Sequence, residues 1–246
     1  MYQYKITSKK NESLIVYHHI GLGDIVICNG LVNYISTFVD NLYLVVDKKF
    51  EEQAKYLYSE NSSVDIISDE PRGVNDLNNF VETFALKNNL NILKIGWGAY
   101  VKKFGNIPFY KAFYKQLKLP FSYSYKFFKL PTFNNSENML TKHLLDVYKI
   151  RSEEKIKLVH HEASDKTYSL NLDSNNAIFV TKETDIFNNI FLYREIAQKV
   201  DEIHCINSSF IHFIDRIETD AALYYHNIRG SKLKLKKKWK VINYES

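Results

Sequence analysis

A chain of 246 residues that is 45% apolar, with eight glycines and four prolines, can bury a core and suits one large or two small domains. The opening MYQYKITSKKNES carries no apolar leader, no stretch gives eighteen uninterrupted apolar residues, and Cys28 and Cys205 sit in apolar sequence. These features argue against a signal peptide, a membrane span and a disulfide framework, and make a cytoplasmic protein the default. The net charge of +5 comes from the last twenty residues, where Arg229, Lys232, Lys234, Lys236, Lys237, Lys238 and Lys240 outnumber Glu245 by six, so the remaining body is near −1.

In chain order, the first half alternates strand-like and helix-like segments. Leu14–Ile20 reads as a strand, Asp24–Val39 as a helix, Leu42–Asp47 as a strand and Phe50–Tyr58 as a short helix. Val64–Ser68 then reads as a strand, Val74–Lys87 as a helix and Ile92–Ile95 as a strand. Such alternation with short links predicts parallel strands joined by right-handed crossovers, a Rossmann-like lobe over residues 1–132. The stretch from Trp97 to Phe133 interrupts it with Tyr and Phe, punctuated by Pro108, Pro120 and Pro131. Its rings suit core packing, or the lining of a sugar-binding cleft.

After a helix at Asn138–Tyr148 the alternation resumes. Strands are expected at Lys157–His161, Ala177–Thr181, Glu202–Ile206 and Ala221–His226, and helices at Asp185–Lys199 and Ser209–Ile217. A second Rossmann-like lobe, 133–246, follows. Its basic end reads either as a solvated terminus or as a segment that attracts nucleic acid, anionic lipid or a phosphorylated ligand.

Two strand-to-helix turns carry the chemistry. In Gly21-Leu22-Gly23-Asp24 the glycines let backbone approach a ligand, and the helix start offers N–H groups to an anion. Val26 stands where the dinucleotide fingerprint has its third glycine, although Asp47 sits where a ribose-binding acid would stand. Asp24 would repel a pyrophosphate at that helix start. It suits either capping of the helix or a base beside a neutral hydroxyl. The second turn, Asn207-Ser208-Ser209, has no carboxylate, and its hydroxyls and N–H groups can cap the helix or hold a diphosphate. His160, His161 and Glu162 end a strand at the edge where open α/β sheets bind ligands, and adjacent strand residues point to opposite faces, as do His18 and His19. No P-loop, G-x-S-x-G, H-E-x-x-H, C-x-x-C or Asp-x-Asp occurs, which favours metal-independent chemistry.

The segments His19-Ile20-Gly21-Leu22-Gly23-Asp24-Ile25 and Glu202-Ile203-His204-Cys205-Ile206-Asn207-Ser208-Ser209-Phe210 resemble GT-B-type glycosyltransferases, in particular the heptosyltransferase-like group with bacterial and viral relatives. Phe113-Tyr114-Lys115-Gln116-Leu117 and Val159-His160-His161-Glu162 add to the likeness. The resemblance implies two Rossmann-like lobes facing across a cleft, the first binding an acceptor and the second a nucleotide-diphosphate sugar. Asp24 then matches the base that deprotonates the acceptor hydroxyl, and Ser208 and Ser209 match the donor-phosphate turn. Gly21, Gly23, His160, His161, Lys166, Asn207 and Arg229 complete the candidate donor- or phosphate-binding set, with Lys166 or Arg229 supplying positive charge and no cofactor or metal required. The partners implied are a nucleotide sugar and a glycan or other hydroxyl acceptor, rather than nucleic acid. Two other classes fit parts of the sequence: a non-catalytic nucleotide- or polyanion-binding protein using the basic end, and a nicotinamide or flavin oxidoreductase.

Overall fold

A computed structural model describes residues 13–70, 74–96, 107–132, 135–150, 155–164, 166–230 and 233–244. The chain divides into two compact units, Met1–Pro131 and Thr132–Ser246. Each is an α/β unit built on its own all-parallel sheet. The basic amino-terminal dozen and the segment 97–106 lie outside the described residues.

The first unit runs β1 (Ser13–Tyr17), α1 (Leu22–Ile35), β2 (Asn41–Asp47), α2 (Glu51–Tyr58), β3 (Val64–Asp69), α3 (Val74–Asn88), β4 (Asn91–Lys94), α4 (Phe109–Gln116) and α5 (Tyr123–Lys126). The strand order is β3-β2-β1-β4. Strand alternation sends Ile15 and Tyr17 to one face, where they meet Leu77, Val81 and Ala85 of α3. The other face belongs to α1, whose residues from Ile25 to Asn33 are all buried. A helix buried all round needs a second layer, and the aromatic stretch provides it. The Tyr114 hydroxyl donates to the Ile27 carbonyl at 2.8 Å, and the Tyr34 ring packs against Tyr123 and Phe127, both at 4.9 Å. Gly30 permits the approach: a Cβ there would stand 2.4 Å from the Tyr123 carbonyl oxygen. Tyr114 is thereby core within the first unit, and Tyr123 and Phe127 are partly buried against Tyr34 of α1.

The second unit runs α6 (Asn135–Val147), β5 (Lys157–His160), β6 (Ala177–Phe179), α7 (Arg194–Lys199), β7 (Glu202–Cys205), α8 (Ser209–Ile214), β8 (Ala222–Asn227) and β9 (Trp239–Asn243), in the sheet order β6-β5-β7-β8-β9. Glu137 of α6 is fully buried and takes a two-pronged ion pair from Arg194 of α7.

One expectation needs correction here. The helix foreseen over Asp185–Lys199 begins only with a 3₁₀ turn at Ile190–Tyr193 and becomes α-helical at Arg194. Asp185 accepts backbone N–H groups from Phe187 and Asn189, both at 3.0 Å, and Asn188 adopts φ +48°, so the aspartate closes a loop instead of opening a helix. The basic end keeps Lys234, Lys236, Lys238 and Lys240 exposed, and it carries a strand that was not foreseen. Its described part is pinned by buried Asp215, which accepts the N–H groups of Lys236 and Lys237 and the Trp239 indole N–H at 2.9–3.0 Å, and it continues into β9 beside β8. A buried relay fastens its far end. His204 Nδ1 lies 2.9 Å from His226 Nε2, His226 Nδ1 lies 2.7 Å from the Tyr244 hydroxyl, and that oxygen accepts the Asn171 N–H at 2.9 Å.

Candidate functional site

In open parallel sheets, ligands bind beyond the carboxyl ends of the strands, where the strand order reverses. In the first sheet that point lies between β1 and β4, and in the second between β5 and β7. The two singled-out turns follow β1 and β7. Both therefore stand at the switch point of their own sheet.

At the first switch point α1 starts earlier than the sequence suggests. Leu22 is its first residue, Gly21 its N-cap, and Asp24 its third residue rather than its opener. The Asp24 carboxyl folds back over Gly21 and accepts that residue's N–H. This is the return half of a capping box, with glycine in place of the usual serine or threonine. Burial outweighs the hydrogen bond and pushes the Asp24 carboxyl up to about 6. Capping and proton acceptance are thus not alternatives: one carboxyl holds the turn and titrates where a general base is useful.

Two histidines frame this turn. His18 is fully buried, and its Nδ1–H goes to the His19 carbonyl. Its Nε2 then points as a bare acceptor with no partner among the described residues, and burial lowers the ring to about 4. His19 donates Nε2–H to the Gly96 carbonyl at 2.9 Å and packs against Phe109 and Phe113 at 4.6 and 5.6 Å. Gly96, just past β4, is a site residue the sequence reading missed. Its φ of +82° favours glycine, and a Cβ would sit 2.3 Å from the Phe113 ring. A lone glycine between a strand and Trp97 was the available signal.

At the second switch point Ser208 occupies the N-cap of α8 without capping it by its side chain. Its hydroxyl instead lies 3.2 Å from His160 Nδ1 and 3.4 Å from the Ile206 carbonyl. His160 stacks on Phe210, centroids 4.9 Å apart and planes 10° off parallel, and burial drives its pKa down to about 3. The ring is neutral at any ordinary pH. Ser209 begins α8, and exposed Arg229 donates to the Asn207 carbonyl at 3.0 Å, so this turn carries a fixed cation. His161 faces away from His160, packing on Phe179 and lying 3.0 Å from the Tyr168 carbonyl. Lys166 is exposed on the small hairpin closed by the Glu162–Thr167 bridge, its ammonium 4.8 Å from the Tyr168 ring.

The second unit thus joins His160 to Ser208 and Asn207 to Arg229, and leaves His161 and Lys166 on the adjoining hairpin. Tyr193 was not foreseen. Its buried hydroxyl has no partner among the described residues, and burial, with Asp185, Tyr148 and Glu162 nearby, raises its pKa above the usual phenol value. Both cysteines are buried and outside any disulfide, no group of three or more metal-type side chains occurs among the described residues, and none of their helices is long and apolar enough to cross a membrane.

No protein-family model matches the chain, and no curated protein sequence does. A solved structure does: a glycosyl transferase family 9 protein from Veillonella parvula DSM 2008 superimposes with a TM-score of 0.62 over 97% of this chain and 87% of that one, at 9% identity. At that identity the likeness shows the fold, and the chain has the α/β architecture, with two parallel sheets, of that glycosyl transferase.

Proposed function

We propose that the protein is a glycosyltransferase that moves a sugar from a nucleotide-diphosphate donor to an acceptor hydroxyl by direct displacement. The observation that carries this reading is the Asp24 carboxyl, pushed up to about 6 at the switch point of the first sheet, in a chain whose fold is that of a glycosyl transferase. A base with that pKa is largely ionised at neutral pH and accepts a hydroxyl proton as the bond to the anomeric carbon forms. A pyrophosphate beside Asp24 would meet a carboxylate, so the first turn is the acceptor side of the reaction. The donor diphosphate belongs to the second turn, where Asn207, Ser208, Ser209 and Arg229 place hydroxyls, N–H groups and a cation without a carboxylate. As the leaving diphosphate gains charge, Arg229 stabilises it, with Lys166 as a second cation from the hairpin. The proposal assigns that role to side chains, so no metal is needed.

The test is a thermal-shift panel of nucleoside diphosphates, nucleotide sugars, NAD and FAD, followed by a transfer assay with any stabilising donor in the presence of EDTA. A ligand at a hundred times its Kd stabilises the folded state by about 2.7 kcal/mol. The expected result is a raised melting temperature with at least one nucleoside diphosphate, and transfer that survives chelation. No stabilisation by any member, or stabilisation by NAD or FAD instead, overturns the reading.

A further inference from the structure

We propose that the buried His204–His226 pair is an acid-sensitive latch on the strap of chain, residues 168–175, that joins the hairpin at the carboxyl edge of β5 to β6. Glu202 and His204 of β7 and His226 of β8 lie on one face of the sheet, and Tyr244, just past β9, reaches the same face. Their hydrogen bonds admit one order of protons. The Glu202 carboxylate only accepts, so His204 donates Nε2–H to it across 3.3 Å. His204 Nδ1 is then the acceptor for His226 Nε2–H at 2.9 Å. His226 Nδ1 in turn accepts the Tyr244 O–H at 2.7 Å, which leaves the Tyr244 oxygen to receive the Asn171 N–H of the strap at 2.9 Å. Every link holds one proton, and both imidazoles are neutral Nε2–H tautomers. A further proton has only His204 Nδ1 or His226 Nδ1 to go to. Either choice sets two hydrogens against each other and charges a buried ring.

The charges facing the pair come from each neighbouring element. Beside Glu202 stand Lys155, at 3.9 Å, and Lys157 of β5, whose charge acts on His204. Tyr224 of β8 stacks on His204 with centroids 4.5 Å apart and planes 5° off parallel, and the Lys240 ammonium of β9 lies 5.4 Å from that Tyr224 ring. The strap brings Asp173, which Lys157 already holds. One carboxylate touches the pair and three lysines stand around it, so the surroundings oppose a further positive charge. Burial is the larger cause, and with His204 beside it holds His226 down to about 4. Opening the strap frees Tyr244 and lets His226 Nδ1 meet water, where the ordinary value is 6.5. The closed state therefore binds fewer protons between about pH 4 and about pH 6.5, is fully held above that window and gives way as pH falls through it. The Lys157 ammonium grips the far part of the strap through the Asp173 and Asn175 carbonyls at 3.0 and 3.1 Å, a hold independent of the histidines. Opening is thus confined to the part that leads into the hairpin. There Tyr168 donates its N–H to the His161 carbonyl at 3.0 Å, and its ring lies 4.8 Å from the Lys166 ammonium. The bearing of that hairpin on donor binding rests on the transferase reading, and the latch itself does not.

The test is amide hydrogen exchange on the full chain by NMR, corrected for the intrinsic pH dependence of exchange, with no ligand added. One proton taken up on opening predicts that the Tyr168 and Asn171 amides lose protection about thirtyfold between about pH 7.5 and about pH 5. Their protection is expected to stay well below that of Leu158 and Ile203 in the core strands at both pH values, which marks the opening as local. Imidazole nitrogen spectra at the higher pH are expected to show the Nε2–H tautomer for His204 and His226. His226→Gln removes the titrating ring, and its strap amides are expected to exchange without pH dependence. Tyr244→Phe, at the end of the chain where folding is least at risk, is expected to leave the Asn171 amide unprotected at both pH values. Protection at Asn171 that does not change with pH overturns the proposal. So does protection equal to that of Leu158 and Ile203, an Nδ1–H tautomer in either ring, or a wild-type pH response in Tyr244→Phe.

Discussion

The two switch-point turns share a topology and differ in almost every electrostatic respect. Each follows the strand at which its sheet order reverses, and each leads into a helix. At the first, backbone and a half-hidden carboxyl dominate: Asp24 secures the turn through the Gly21 N–H while its pKa rises to about 6. At the second, a serine hydroxyl is held by a neutral histidine and an arginine is fixed over the turn. Topology therefore decides where a ligand can sit, and the side chains on the turn decide what charge it carries. A proton acceptor suits a neutral hydroxyl, and a cation with hydroxyls suits an anion.

The sharpest way to break this division is Asp24→Asn. Turnover is expected to fall about 10²- to 10⁴-fold, while the melting shift given by a nucleoside diphosphate stays the same. Equal loss of ligand binding would place the anion at the first turn and dissolve the contrast. Gly96→Ala probes the backbone side of the first turn. Its positive φ and the Phe113 ring predict a destabilisation of about 3 kcal/mol by urea unfolding, against at most about 1 kcal/mol for Ser208→Ala, whose hydroxyl does not cap α8.

The pH dependence of Asp24 gives a third test. Its folded pKa lies above the ordinary value of 3.8, so the folded state binds more protons and stability falls as pH rises from about 4 to about 6. Asp24→Asn removes that loss. The variant is expected to be more stable than wild type by about 1–3 kcal/mol at pH 8, with the gain shrinking below pH 6 and gone near pH 4 in urea titrations. His160 shows the opposite sign, since its lowered pKa costs stability as pH falls below about 6.5. Its imidazole nitrogens are expected to show no titration by NMR between pH 7 and 5. The smallest effect is Arg229→Gln, which is exposed. Nucleoside diphosphate affinity is expected to drop about tenfold in calorimetry, with stability changed by less than about 0.5 kcal/mol.

Much of the fold was legible because buried parallel strands are short apolar runs and their crossover helices are periodic. Leu14–Val16, Leu42–Val46 and Ile203–Cys205 announce themselves in this way. The misreadings came where polar side chains bind backbone. Asp185 and Asn189 turn a helix-like stretch into a closed loop, and Asp215, twenty-odd residues upstream, pins the lysine run that leads into β9. Neither partner of such a bond marks the other in sequence.

The sequence by itself determined the α/β class, the positions of the two turns and the kinds of side chain on them, because strand and helix periods and turn glycines are local properties. Only the tertiary structure decided what those side chains do. Burial set Asp24 near 6 and kept His160 neutral, the His160 contact drew Ser208 away from its capping role, and sheet order brought Gly96 beside His19. Desolvation and long-range hydrogen bonds depend on what surrounds a group in space, and neighbours in space are not neighbours along the chain.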